Sequence, residues 1–67
     1  MDLATARKLV ADDQRESYPD MTDDEAVAHA VNTICLPGEE APGAYPLTDY
    51  GDELTEAYRV VLSEGRP

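Results

Sequence analysis

The chain has 67 residues, which is enough for one small domain with a thin core but too few for a deep catalytic cleft with several layers of supporting residues. Fifteen Asp and Glu residues stand against five Lys and Arg, so the formal net charge is -10. Nucleic acid and anionic membranes repel a chain of this charge, and we expect it to bind neither directly. Apolar residues make up 42% of the sequence and recur at regular spacing, which indicates a folded domain rather than a disordered acidic tail.

The first predicted helix covers residues 2–17. Apolar side chains recur there at three- and four-residue spacing, which is the pattern of one buried helix face. Asp2 can accept a hydrogen bond from the first turn and so cap the helix. Pro19 biases Tyr18 toward an extended conformation, which ends the helix at Glu16 or Ser17.

The second predicted helix covers residues 22–35. Thr22 and Glu25 have the spacing of a capping box, and Met21 before them can act as a hydrophobic staple. The Pro-Gly pair at 37–38 ends this helix. We therefore expect a compact helix with a well-defined start.

Residues 37–47, "PGEEAPGAYPL", contain three prolines and two glycines, which predicts a loop of turn or extended character. The third predicted helix covers residues 49–64, where apolar residues recur from Tyr50 onward and acidic residues lie largely on the opposite face. Gly65 is a suitable residue to end it.

These elements predict an all-α fold, a compact three-helix domain that spans residues 1–67, with one short extended segment before the last helix. A core this small favours dimerisation, because a second copy would cover apolar surface that one chain leaves exposed. The predicted core residues are Leu3, Leu9, Val10, Val27, Val31, Ile34, Leu54, Tyr58, Val61 and Leu62.

The stretch "AYPLTDYGDELTEAYRVVL" resembles the Y-x-L-T-x-x-G-x-x-L segment that ends the wing and opens the last helix of many winged-helix regulators. The matching residues are Tyr45, Leu47, Thr48, Gly51 and Leu54. The resemblance implies an extended segment at 44–47 followed by a capped helix. Before this stretch the chain has no helix-turn-helix of adequate length and no wing hairpin, and it carries Asp and Glu where that family carries Arg and Lys. The resemblance therefore does not imply DNA binding.

Acidic residues are concentrated between residues 11 and 25, which hold seven carboxylates and one basic side chain, Arg15. The acids at the start of helix 2 suit the helix dipole, but Asp12, Asp13 and Glu16 lie near the end of helix 1, where the dipole disfavours them. Asp12 and Glu16 are also a like-charged pair four residues apart. Because the fold gains nothing from this arrangement on local grounds, we expect a binding partner to select it.

Three explanations compete for the acidic surface. The first is a partner with a basic surface, which a row of carboxylates would complement. The second is a general acidic bias of a salt-adapted source, consistent with the single lysine, Lys8. The third is cation binding, but the residue order of a helix–loop–helix calcium loop is absent. The predicted partner-binding residues are Asp12, Asp13, Glu16, Asp20, Asp23, Asp24, Asp49, Asp52, Glu53 and Glu56.

No catalytic, metal or cofactor site is predicted. His29 and Cys35 do not share a helix face and have no second His or Cys to complete a zinc set, and no nucleophile has a base at motif spacing. We expect His29 to be partly exposed, Cys35 to be a small buried residue, and Tyr18 and Tyr45 to pack on the bundle. A single cysteine and the absence of a signal-like or membrane-spanning apolar stretch predict a cytoplasmic protein.

The predicted function is stoichiometric inhibition of a basic, nucleic-acid-binding protein. In size and charge the chain is similar to small acidic inhibitors of phages and mobile elements, including DNA mimics and anti-CRISPR proteins, which place carboxylates where a basic cleft expects phosphates. The alternative is a small structural or regulatory adaptor, or an antitoxin-like subunit, that docks through apolar helix faces while its acidity serves solubility or salt adaptation.

Overall fold

The computed structural model describes residues 1–36, 43, 45–47 and 51–64. The elements in chain order are α1 (Leu3–Ser17), α2 (Asp23–Thr33), β1 (Ile34–Cys35), β2 (Tyr45–Pro46) and α3 (Asp52–Glu64). The predicted all-α architecture of three helices is therefore confirmed, with the addition of a two-stranded sheet. Several predictions concern residues outside the described ones: Asp49 as a site residue, Thr48 and Tyr50, most of the 37–47 loop, and Gly65 as the end of α3.

Both ends of α1 follow from local sequence. The backbone N–H of Thr5 donates to the side chain of Asp2 over 3.3 Å, which makes Asp2 the predicted N-cap. The helix ends at Ser17, because Tyr18 leaves the helical conformation ahead of Pro19. The N–H of Tyr18 still donates to the carbonyl of Gln14, and this hydrogen bond closes the last turn.

The start of α2 is the predicted capping box. The hydroxyl of Thr22 accepts from the N–H of Glu25 over 3.2 Å, and the carboxylate of Glu25 accepts from the N–H of Thr22 over 2.9 Å. Two backbone donors that the helix leaves unpaired are satisfied in this way. Met21 packs partly buried against the core just before the cap.

The prediction that helix 2 extends to residue 35 was wrong, because α2 ends at Thr33. Ile34 is extended instead, and β1 pairs in parallel with β2, with Ile34 opposite Tyr45. The N–H of Leu47 donates to the carbonyl of Cys35 over 2.8 Å, which extends the pairing by one bond. β2 lies within the extended segment predicted at 44–47.

α3 begins after Gly51, whose φ of 93° lies in the left-handed region that side-chain-bearing residues rarely adopt. The carbonyl of Gly51 accepts the N–H of Thr55, so the glycine supplies the first helical hydrogen bond. This glycine therefore marks the start of α3.

α1 packs against both other helices, and the core lies where the three meet. Val10, Tyr58 and Leu62 are the largest fully buried side chains. Small residues let the helices approach closely, because a buried alanine adds little width to a helix face. The fully buried alanines are Ala6, Ala11, Ala26, Ala30 and Ala57.

The predicted core was correct for most of its members but wrong for Leu3. Leu3 is the first residue of α1 and is 38% exposed. Leu9, Val31 and Leu54 are partly buried at the margin of the core. Cys35 is buried as expected, at 4% exposure. Among the described residues, no helix has the length and apolar character needed to cross a membrane.

Candidate functional site

Nine of the ten predicted site residues lie in the described part of the chain, and the structure does not bring them to one surface. Eight are exposed and only Asp13 is partly buried. They divide into carboxylates that pair with this chain's own cations, one carboxylate that binds a core tyrosine, and carboxylates that have no cationic partner among the described residues.

The first group forms what we call the paired side, made of Arg7, Lys8, Asp12, Arg15, Asp23 and Asp24. Arg15 contacts Asp12 over 2.5 Å and also pairs with Asp23, so one guanidinium joins α1 to the start of α2.

Two more ion pairs complete the paired side. Lys8 lies 3.6 Å from Asp12, and Arg7 lies 3.1 Å from Asp24. The sequence-based inference that the fold gains nothing from the acids near the end of α1 was wrong for Asp12, which pairs with Arg15 and Lys8. Exposed pairs contribute only about 0.2–1 kcal/mol each, so this side offsets the local repulsion without strongly stabilising the domain.

Asp13 belongs to a hydrogen-bonded chain that crosses from α1 to the other two helices. The hydroxyl of Tyr58 donates to Asp13 Oδ2 over 2.5 Å, and Gln14 Nε2 donates to the same hydroxyl over 2.9 Å. Gln14 Oε1 lies 2.7 Å from His29 Nδ1. We call these four residues the polar network.

The proton positions in the polar network follow from its donors and acceptors. Tyr58 has one hydroxyl hydrogen, and the carboxylate of Asp13 takes it because an ionised carboxylate only accepts. Gln14 must then donate to the hydroxyl through its amide nitrogen, which leaves its oxygen facing His29. His29 therefore carries a hydrogen on Nδ1, and in the neutral ring Nε2 is the acceptor.

A groove opens beside the polar network, between the end of α1, α2 and β2. We define the groove by six residues of its wall: Asp13, Gln14, Glu16, Tyr18, His29 and Tyr45. Its volume is about 470 Å³, and the described residues of its wall include two carboxylates and no Lys or Arg.

The tyrosines of the groove are exposed. Tyr45 is 74% exposed and Tyr18 is 46% exposed. The ring of Tyr18 meets the ring of His29 edge to face, with centroids 4.7 Å apart, so Tyr18 is partly packed as expected. The prediction that Tyr45 packs on the bundle was wrong, because β2 presents this side chain largely to solvent.

Tyr18 also borders a second concavity, which has a volume of about 430 Å³. The wall of this concavity includes Asp20 and Glu25, and Tyr18 and Ser17 are common to both concavities. Glu16 lines the first concavity and Asp20 lines the second, and the exposed Tyr18 borders both. Neither carboxylate forms an ion pair with a described residue.

The α3 carboxylates have mostly local roles. Asp52 and Glu53 lie in the first turn, where the helix dipole favours negative charge. Glu56 lies 2.8 Å from the amino group of Met1, and this hydrogen bond raises the pKa of the amino group above its ordinary value. Asp52, Glu53 and Glu64 form no ion pair with a described residue.

Two helix-capping carboxylates are held in their ionised form. The backbone N–H of Thr22 lowers the pKa of Glu25, and hydrogen bonds from Thr5, first its side chain and then its backbone N–H, lower the pKa of Asp2. Hydrogen bonds to the charged form favour that form. These two acids therefore remain charged under mildly acidic conditions as part of the helix starts.

Sequence reasoning did not identify Gln14 or His29 as members of the site. One signal was available: Tyr58 falls on the buried stripe of α3, and a buried tyrosine hydroxyl needs a hydrogen-bond partner. Its partners are 44 and 45 residues away in the sequence, so helical spacing does not reveal them. Within residues 1–36, 43, 45–47 and 51–64, no group of three His, Cys, Asp or Glu side chains is arranged to hold a metal ion.

Comparison with known proteins adds no assignment. The chain matches no family model, and it has no significant match among curated proteins or solved structures.

Proposed function

We propose that this protein binds a basic, nucleic-acid-binding protein and inhibits it by occupying the surface that nucleic acid would contact. This is the mode of DNA mimics and of anti-CRISPR-type inhibitors. The observation that supports the proposal best is that Glu16 and Asp20 each line a concavity bordered by the exposed Tyr18 and form no ion pair with a described residue.

The contact surface that we propose is narrower than the ten predicted carboxylates. It consists of Glu16 and Asp20 around Tyr18. The carboxylates of the paired side already have cationic neighbours, so a basic partner gains less from them.

The excess of negative charge affects how fast this protein associates with a basic partner. A net charge of -10 attracts a basic surface at long range and speeds association at low ionic strength. Salt shortens the range of this attraction, so complex formation weakens as ionic strength rises. Specificity then comes from the short-range contacts around Tyr18.

The test has two steps. The immobilised protein is first used to capture a partner from its source cell at low salt, with elution by a salt gradient. The captured partner is then mixed with a DNA or RNA duplex to which the partner binds. Increasing amounts of the 67-residue protein are added, and the fraction of duplex bound to the partner is measured. We expect elution at moderate salt and stoichiometric loss of duplex binding.

Matched variants locate the surface. The double variant Glu16→Lys, Asp20→Lys should abolish capture of the partner. The double variant Glu53→Lys, Glu64→Lys makes the same change in net charge on α3 and should weaken capture less. Capture that survives the first pair undiminished would refute the proposed surface. Complete loss of duplex binding at less than one equivalent of this protein per partner would refute one-to-one occupation of the partner's surface.

A second candidate function is that of an adaptor that docks through apolar contacts. The exposed side chains of Tyr45 and Leu3 are the observation that favours it. An adaptor or antitoxin-like subunit that docks through apolar contacts should hold its partner through the salt gradient. Tyr45→Ser or Leu3→Ser should then release the partner, and reversal of Glu16 and Asp20 should not.

A further inference from the structure

The groove combines features that together select one kind of side chain. Asp13 and Glu16 supply negative charge, Tyr18 and Tyr45 supply exposed aromatic rings, and the wall has no Lys or Arg in the part of the chain that the structure describes. An aliphatic ligand would leave the carboxylates unpaired, and an anion would be repelled by them. The complementary ligand is a cation that can also stack on a ring.

Arginine fits this combination better than lysine. Its guanidinium is planar and weakly hydrated, so it stacks on aromatic faces and donates to carboxylates through a fixed fork of N–H groups. A lysine ammonium is a strongly hydrated point charge that cannot stack. The volume of about 470 Å³ accommodates a side chain of this length.

The polar network prepares the groove for such a ligand. Tyr58 is fully buried and binds one oxygen of Asp13, so the carboxylate is held in place before any ligand arrives. Within the described residues, Tyr58 is the only group that donates to Asp13. The contact with His29 similarly restrains the ring of Tyr18. A pre-positioned wall lowers the entropic cost of binding.

We propose that the groove receives an arginine side chain of the partner protein, with the guanidinium between Tyr45 and the carboxylates of Asp13 and Glu16. This proposal rests on the proposed function, because it assigns the contact that would anchor the basic partner. Arginine and tyrosine are both common at the energetic centres of protein interfaces.

The direct test uses three short peptides that differ at one position: acetyl-Gly-Ser-Arg-Ser-Gly-amide and its lysine and citrulline counterparts. Each is titrated into the isotope-labelled protein, and amide and aromatic NMR shifts are recorded. We expect the arginine peptide to shift resonances of Glu16, Tyr18, His29 and Tyr45, the lysine peptide to bind more weakly, and the uncharged citrulline peptide to cause no saturable shift.

Variants test whether the groove or general acidity binds the peptide. The double variant Tyr45→Ala, Glu16→Gln should weaken arginine-peptide binding about tenfold, since it removes one ring and one carboxylate. The variant Glu53→Gln removes the same charge from α3 and should change binding little. Both substituted groove residues are exposed, and a far-ultraviolet spectrum verifies that the fold is retained.

Three results would overturn the groove assignment: shifts spread evenly over the acidic surfaces, equal binding of the arginine and citrulline peptides, or unchanged binding by the double variant. This failure is distinguishable from failure of the proposed function. If the protein captures and inhibits a basic partner but does not bind the arginine peptide, the proposed function is supported and the groove assignment is refuted. If the protein binds the arginine peptide in the groove but captures no basic partner, the groove assignment is supported and the proposed function is refuted.

Discussion

Asp12 and Asp13 are neighbours on α1, yet they belong to two chemically different regions. Asp12 is exposed on the paired side, where Arg15 and Lys8 neutralise it. Asp13 is partly buried at the groove, where a neutral hydroxyl from the core binds it. The first region compensates charge within the chain, and the second keeps its negative charge.

This difference changes the meaning of the acidic stretch. A high local density of carboxylates does not by itself indicate a partner, because the chain's own arginines can be placed among them, as on the paired side. The informative feature is a carboxylate that has no cationic partner among the described residues and lies next to an exposed aromatic ring. The groove has that feature and the paired side does not.

The largest effect that we expect concerns the groove. Tyr58→Phe removes the hydroxyl that binds Asp13 and Gln14 and should lower the free energy of unfolding by about 1–3 kcal/mol, because partly buried polar groups lose their partner. Urea denaturation measures this. The matched change Tyr45→Phe removes a solvated hydroxyl and should stay within about 0.5 kcal/mol. Equal losses in the two variants would contradict the network.

The next effect concerns the helix start that carries Asp23 and Asp24 to the paired side. Thr22→Ala removes the N-cap hydroxyl and should cost about 1 kcal/mol in the free energy of unfolding. Ser63→Ala is a control on an exposed hydroxyl of α3 and should change it by less than about 0.5 kcal/mol. A Thr22→Ala protein as stable as the wild type would mean that α2 is positioned by packing alone.

A smaller effect is expected on the paired side itself. Arg15→Gln removes the cation shared by Asp12 and Asp23 and should cost about 0.5–1 kcal/mol at low salt. The loss should shrink at high salt, because exposed charges are screened. Arg59→Gln is the control, since Arg59 forms no ion pair with a described residue. Denaturation of both variants at two salt concentrations separates a specific pair from a general change in net charge.

The smallest effect is a pH dependence. Because folding lowers the pKa of Glu25 below its ordinary value of 4.5, the stability that this carboxylate contributes is present above pH 4.5 and is lost as the pH falls through its folded pKa. Asp2 acts in the same direction below its ordinary value of 3.8. Glu25→Gln keeps an oxygen for the Thr22 N–H but cannot titrate, so its melting temperature should fall less steeply between pH 5 and about pH 3. Parallel curves for the two proteins would exclude Glu25 as a source of this dependence.

The sequence alone determined the features that depend on contacts between near neighbours. The Asp2 cap, the end of α1 before Pro19 and the capping box of α2 each involve groups at most four residues apart. Their geometry follows from local backbone chemistry, whatever the rest of the chain does. The three-helix class follows in the same way from the helical period of apolar residues.

The tertiary structure decided which side chains meet across elements. It ended α2 at Thr33, because the backbone of Ile34 and Cys35 pairs with a strand eleven residues further along the chain. It placed alanines rather than Leu3 in the fully buried core.

The tertiary structure also gave Asp12 and Asp13 different partners. Successive residues of a helix point about 100° apart, so one carboxylate faces Arg15 while the next faces Tyr58, which α3 brings from 45 residues away. Such pairings depend on the packing of whole helices, and the spacing of residues along one helix does not encode them.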